Sequence, residues 1–167
     1  LNLISRPVSY ISYKVKSNDN KQHEVDVYFG ASSSIAVNEP GQAVTASQYT
    51  KGNLSFLKAG TVAQPVLQKQ GDDLRIDWGY MYVGVSKRNG LQQNISTLHE
   101  AIGNFAGNGN AQGATAVANG KHLMLNTSVK LGKVGAAGKE QLFMLGYDDL
   151  YAIQYFGTNL KALWKED

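Results

Sequence analysis

The chain has 167 residues, 43% of them hydrophobic, a formal net charge of +3 and no cysteine. That length suits one folded domain with a core large enough to do without disulfides or metal staples. The missing cysteines exclude thiolate nucleophiles and thiolate metal sites, and Lys and Arg are scattered, with Lys87-Arg88 the only adjacent pair, so there is no basic patch for nucleic acid.

Nine Tyr, five Phe, two Trp and 18 Gly among few charges favour β structure, since aromatics suit pleated surfaces and glycine suits tight turns. Residues 10–16 alternate, with Ile11, Tyr13 and Val15 on one face. Residues 24–29 repeat the pattern with Val25, Val27 and Phe29, and the intervening SNDNKQ reads as a turn, which predicts a hairpin. Strand-like stretches follow at 34–37 and 42–49, around a turn at 38–41, and again at 54–59. Pro65 blocks a central strand after Gly60.

Residues 74–85 form the longest apolar run, though no run approaches the 18 residues of a membrane span. Leu74, Ile76, Trp78, Tyr80 and Tyr82 share one face of it, and from residue 79 onward both faces are apolar. The expectation is a strand that begins at an edge and becomes central, covered on both sides. Thr97 and Glu100 match a capping box for a short helix over 97–105, and GNGNAQG (107–113) reads as a flexible loop. Three more strands are expected at 122–131, 140–147 and 150–156. Leu160, Leu163 and Trp164 then fall at helical spacing. About nine short strands predict a mostly β, antiparallel sandwich of supersandwich or jelly-roll type, with at most one or two short helices. The expected division is a sandwich domain over 1–158 and a linker or helix start over 159–167.

Catalytic patterns are sparse. No G-x-S-x-G elbow occurs, and Ser55 and Lys58 fall in a strand-like stretch whose odd spacing puts them on opposite faces. His23, His99 and His122 show no metal-ligand spacing, so neither a metal nor a cofactor is expected. Asp72, Asp73 and Asp77 are grouped acids that could act as acid and base or bind a cation; the plainer reading is a turn and a hydrogen-bonded strand residue. Sequons stand at Asn53, Asn94 and Asn126. Among the aromatics, Trp78, Tyr80 and Tyr82 read as core, while Tyr10, Tyr28 and Tyr49 are better placed for stacking on a sugar.

Three runs, 8–29, 56–85 and 145–167, resemble the N-terminal β domain of the glutaminase A-like family, most specifically GDDLRIDWGY (71–80) and YDDLYAIQYFG (147–157). The resemblance implies a large exported protein, periplasmic, cell-surface or secreted. In it a β-sandwich precedes a helical toroid, and glutamine is hydrolysed to glutamate and ammonia. It also implies that the chemistry, and the small-molecule substrate, belong to the helical domain. This chain would then be an accessory domain, with Asp72, Asp73, Arg75, Asp77 and Trp78 as site or domain-contact residues and Leu160, Leu163 and Trp164 facing the helical partner. The rival reading is a carbohydrate-binding or structural module of a carbohydrate-active enzyme.

Overall fold

A computed structural model describes residues 4–106 and 117–165; the 107–113 loop therefore lies outside the described residues. The chain is mostly β and antiparallel throughout. In order the elements are β1 (Val8–Val15), β2 (His23–Ser32), β3 (Val44–Lys51), β4 (Leu54–Thr61), β5 (Gly79–Ser86), β6 (Leu91–Ser96), α1 (Leu98–Ala106), β7 (Val117–Gly120), β8 (Met124–Val134), β9 (Lys139–Asp149), β10 (Ile153–Tyr155) and β11 (Thr158–Leu160). Short 3-10 turns cover Ser33–Ala36 and Leu163–Lys165.

A six-stranded sheet runs β1-β9-β5-β4-β3-β7 and a three-stranded sheet runs β2-β8-β6, while β10 and β11 form a separate hairpin. The alternation of apolar residues explains the layering. Val44, Leu57, Met81, Val83, Val85 and Phe143 project from the large sheet and meet Ala31, Ile95, Leu125, Val129 and Leu131 from the small one. Phe29 stacks on Phe143 at 5.0 Å between the layers. A polar bridge crosses this interior: Ser55 Oγ donates to Gln93 Oε1 at 2.6 Å, and Gln93 Nε2 donates to Thr127 Oγ1 at 3.1 Å. Both ends are satisfied, so the bridge fixes register without leaving a buried polar orphan.

The predicted capping box forms. Thr97 N–H and Thr97 Oγ1 donate to Glu100 Oε2 at 2.8 and 2.9 Å, and α1 starts there. These bonds, the backbone one first, hold the Glu100 carboxyl below its usual range.

Several sequence expectations are corrected. β1 and β2 are not a hairpin: β1 pairs with β9 in the large sheet, and β2 pairs with β8 in the small one. Each strand buries an apolar face, and the two faces meet across the core rather than side by side. The 16–22 connection crosses between sheets beside the 135–138 connection, to which Ser17 N–H is tied through Gly135 O at 3.1 Å. Residues 34–37 are not a strand, because Ser32 Oγ accepts from Ser34 N–H and starts a 3-10 turn. Two strands in the nondescript middle, β6 and β7, went unrecognised.

The 74–85 run is strand only from Gly79. Before it, backbone groups bond to side chains instead of a ladder: Arg75 N–H donates to Asn38 Oδ1, and Thr61 Oγ1 donates to the Asp77 carbonyl at 2.6 Å. Leu74 and Ile76 are accordingly exposed. β5 is internal to the large sheet, yet only its Met81, Val83 and Val85 side is covered by the second layer; Tyr80 and Tyr82 are half-buried on the outer face. The 142–147 segment, which the apolar run LFMLGY predicts to be a central strand buried on both faces, is not covered on both, since Leu142 is exposed. Of the 150–156 run only Ile153–Tyr155 is strand, and it belongs to the small hairpin. Leu160 ends β11 and Leu163 begins a three-residue 3-10 turn, so the helical stripe through Leu160, Leu163 and Trp164 is not formed.

Candidate functional site

The outer face of the large sheet carries a concavity. Strand register builds it as two cross-strand rows. One runs Tyr49–Phe56–Gly84–Met144–Tyr10, and its neighbour runs Ser47–Lys58–Tyr82–Gly146–Val8. Each row includes a glycine, Gly84 in the first and Gly146 in the second, over which larger neighbours pack closely. A Cβ on Gly84 would lie 2.7 Å from the Phe56 ring, and one on Gly146 would lie 3.0 Å from the Pro7 carbonyl. The resulting groove encloses about 450 Å³ between walls that include Tyr10, Phe56, Tyr82 and Trp164. A second cavity of about 370 Å³ adjoins it and shares Arg6, Pro7, Tyr147 and Trp164. Tyr49 stacks behind Phe56 at 5.2 Å and supports that wall.

The charges around the groove are mostly neutralised in place. Asp148 Oδ1 pairs with Lys165 Nζ at 2.5 Å, and Lys165 also donates to the Asp149 carbonyl. Lys58 Nζ lies 3.5 Å from the centre of the Tyr80 ring, a cation–π contact, and 5.9 Å from that of Tyr82. Burial pulls the Lys58 ammonium below its usual pKa, with Asp148 opposing the shift. Burial, reinforced by Tyr49, Asp148 and Tyr80, pushes the Tyr82 phenol well above the ordinary range, so it stays protonated. Burial does the same at Tyr147, with Asp77, Asp149 and Asp148 adding to it, and its hydroxyl donates to the Ile76 carbonyl at 2.9 Å. Arg6 is exposed and makes no ion pair among the described residues.

The acids singled out by sequence lie elsewhere and apart. Asp72 and Asp73 are exposed in a bend. Arg75 is exposed, and its backbone N–H is held by Asn38. Asp77 is fully buried: its Oδ2 accepts from Gln42 Nε2 at 2.6 Å and from Lys69 Nζ at 3.1 Å. Gln42 Oε1 in turn accepts the N–H groups of Asn38 and Glu39. The network ties the 38–42 loop to the 62–78 segment. Trp78 is buried, with its indole N–H donating to the Tyr151 carbonyl at 2.9 Å. Leu160 and Leu163 are exposed, whereas Trp164 forms part of the groove wall.

No catalytic constellation assembles from the remaining candidates. Ser55 points into the core and Lys58 sits on the outer face, opposite sides as their spacing implies. His23 pairs with Asp19 at 2.9 Å and His122 Nδ1 lies 3.4 Å from Ser34 Oγ, while His99 is on α1. Among the described residues no three His, Asp or Glu side chains gather as metal ligands. Tyr28 is on the other sheet, where its hydroxyl donates to Asn126 Oδ1 at 2.7 Å. Asn126 is itself buried and donates to Asn94 and Ser96, so the accessible sequon is Asn53, in the exposed turn between β3 and β4.

A family model described as a domain of unknown function, DUF5127, matches residues 1–167. The chain belongs to the DUF5127 family. A search of curated proteins gives no match. The candidate features of this DUF5127 domain are an outer-face groove and an exposed apolar hairpin; the groove escaped the sequence reading because its rows form only once β1, β4, β5 and β9 are aligned.

Proposed function

We propose that this is the accessory β-sandwich domain of an exported glutaminase, docked to a helical domain that carries the chemistry. The observation that carries the reading is the β10–β11 hairpin and the turn after it. Ile153, Tyr155, Phe156, Leu160 and Leu163 are all exposed there, Phe156 at 90% and Leu163 at 80%. A cluster of that size marks an interaction surface rather than ordinary scatter. Phe156 also holds φ at +45° beside Gly157 at +78°. These two residues form the two-residue turn between the paired Tyr155 and Thr158, a tight hairpin turn that takes positive φ at both positions and leaves the Phe156 ring exposed at its tip. Such a hairpin suits an apolar face on the helical partner. The resemblance over 145–167 spans the same hairpin and supports the pairing with a glutaminase A-like helical domain.

The accessory role predicts that the purified domain does not release ammonia from glutamine. The assay is a timed ammonia measurement against a heat-killed control. Steady release that disappears on substituting a residue of this chain would mean that the domain carries an active site of its own.

A further inference from the structure

We propose that the groove on the outer face of the large sheet is a binding site for the pyranose rings of a glycan chain. A pyranose presents an apolar C–H face that stacks on aromatic planes and a rim of hydroxyls that needs neutral hydrogen-bonding groups. The groove offers both. Its aromatic walls are Tyr10, Phe56, Tyr82 and Trp164, and Gly84 and Gly146 also line it, which lets Phe56 and Pro7 pack closely against the sheet. Of the charges near it, Asp148 is paired with Lys165 and Lys58 lies over the face of Tyr80, which leaves Arg6 as the lining cation without an ion pair among the described residues. The polar groups left over are the Tyr10 and Tyr82 hydroxyls, which have no hydrogen-bond partner among the described residues, and the unpaired Arg6 guanidinium at the rim. A phenol and a guanidinium fork both serve vicinal hydroxyls. The volume of about 450 Å³, continued past Trp164 by the adjoining cavity of about 370 Å³, fits more than one ring and favours a chain over a monosaccharide. Ile153, Tyr155, Phe156 and Leu160 do not line the groove, so this inference stands apart from the docking of the hairpin.

The experiment titrates the purified domain with cellohexaose, xylohexaose, maltohexaose and a galacturonate oligomer, up to about 10 mM, where even a weak interaction of millimolar Kd is visible. Binding is read by calorimetry and by backbone amide shifts in β1, β5 and β9. At least one glycan is expected to bind and to shift these amides, with Tyr10→Ala and Trp164→Ala each weakening it about tenfold or more. Tyr10 is 52% exposed, so its truncation leaves the fold intact and the test interpretable even if another wall variant misfolds. Selectivity for the galacturonate oligomer, lost in Arg6→Ala, would identify an acidic glycan; selectivity for a neutral one would identify hydroxyl recognition. No saturable binding by any of the four, or binding that Tyr10→Ala and Trp164→Ala leave unchanged, would overturn the proposal.

Discussion

Val83→Asp is expected to leave no folded domain at 25 °C. Val83 is fully buried, opposes Leu57 and Leu145 across the ladder, and lies in the cluster that joins the two sheets. An aspartate there either holds an unpaired charge in an apolar interior or takes up a proton, and both routes cost several kcal/mol. Loss of the valine's own packing adds about 1 kcal/mol or more. Against a total stability of about 5–15 kcal/mol, the folded population collapses. Far-ultraviolet circular dichroism and amide shift dispersion would read the loss. Tyr10→Ala, on the outer face of the same sheet, serves as the folded control. A Val83→Asp variant with a cooperative thermal transition near the wild type would show that the side chain does not face the other sheet.

The second large effect is expected at Asp77. Asp77→Ala removes the acceptor shared by Gln42 and Lys69 and so frees both loops that the carboxylate joins. A stability loss of about 3 kcal/mol is expected, the lower part of the range for breaking a buried ion pair, because Lys69 keeps some contact with water. Lys69→Met tests the other half. It strands a fully buried carboxylate on Gln42 alone and should cost a comparable amount. The double variant Asp77→Leu with Lys69→Met should recover part of the loss, since no charge is left unpaired. Urea midpoints at constant m-value measure all three. Wild-type stability in Asp77→Ala would mean that the 62–78 segment is held by its other bonds.

The contrast between these two residues shows how far the sequence could be read. Period-two alternation identified the apolar faces of β1 and β2, because burial of one face leaves that mark whatever the pairing. Pairing itself was not legible. β1 and β2 look like neighbours in sequence, yet each finds its partner near the other end of the chain, through contacts that no local pattern records. The 74–78 stretch alternates like a strand, but Asp77 and the Arg75 backbone take side-chain partners from the 38–42 and 61–69 segments, and that tertiary choice wins. β6 was hidden because its inward face includes a glutamine, and Gln93 is buried only by virtue of Ser55 and Thr127. The acids of the GDDLRID run drew notice through their chemistry and through the resemblance at 71–80, although Asp72 and Asp73 are exposed and Asp77 is enclosed in a structural network. The groove residues carry no motif, since glycines and aromatics gain meaning only when aligned across four strands.

The docking role is tested most directly by measuring binding between this domain and the separately expressed helical domain of a glutaminase A-like protein. Isothermal calorimetry should give a saturable one-to-one complex with a negative heat-capacity change, the mark of apolar burial. Phe156→Ser and Leu163→Ser should each weaken it by about tenfold or more, since each removes a large exposed apolar side chain from the contact. These two residues make no core contact, so the variants should melt like the wild type. Absence of any complex, or a complex that both substitutions leave at full affinity, would contradict the accessory-domain account.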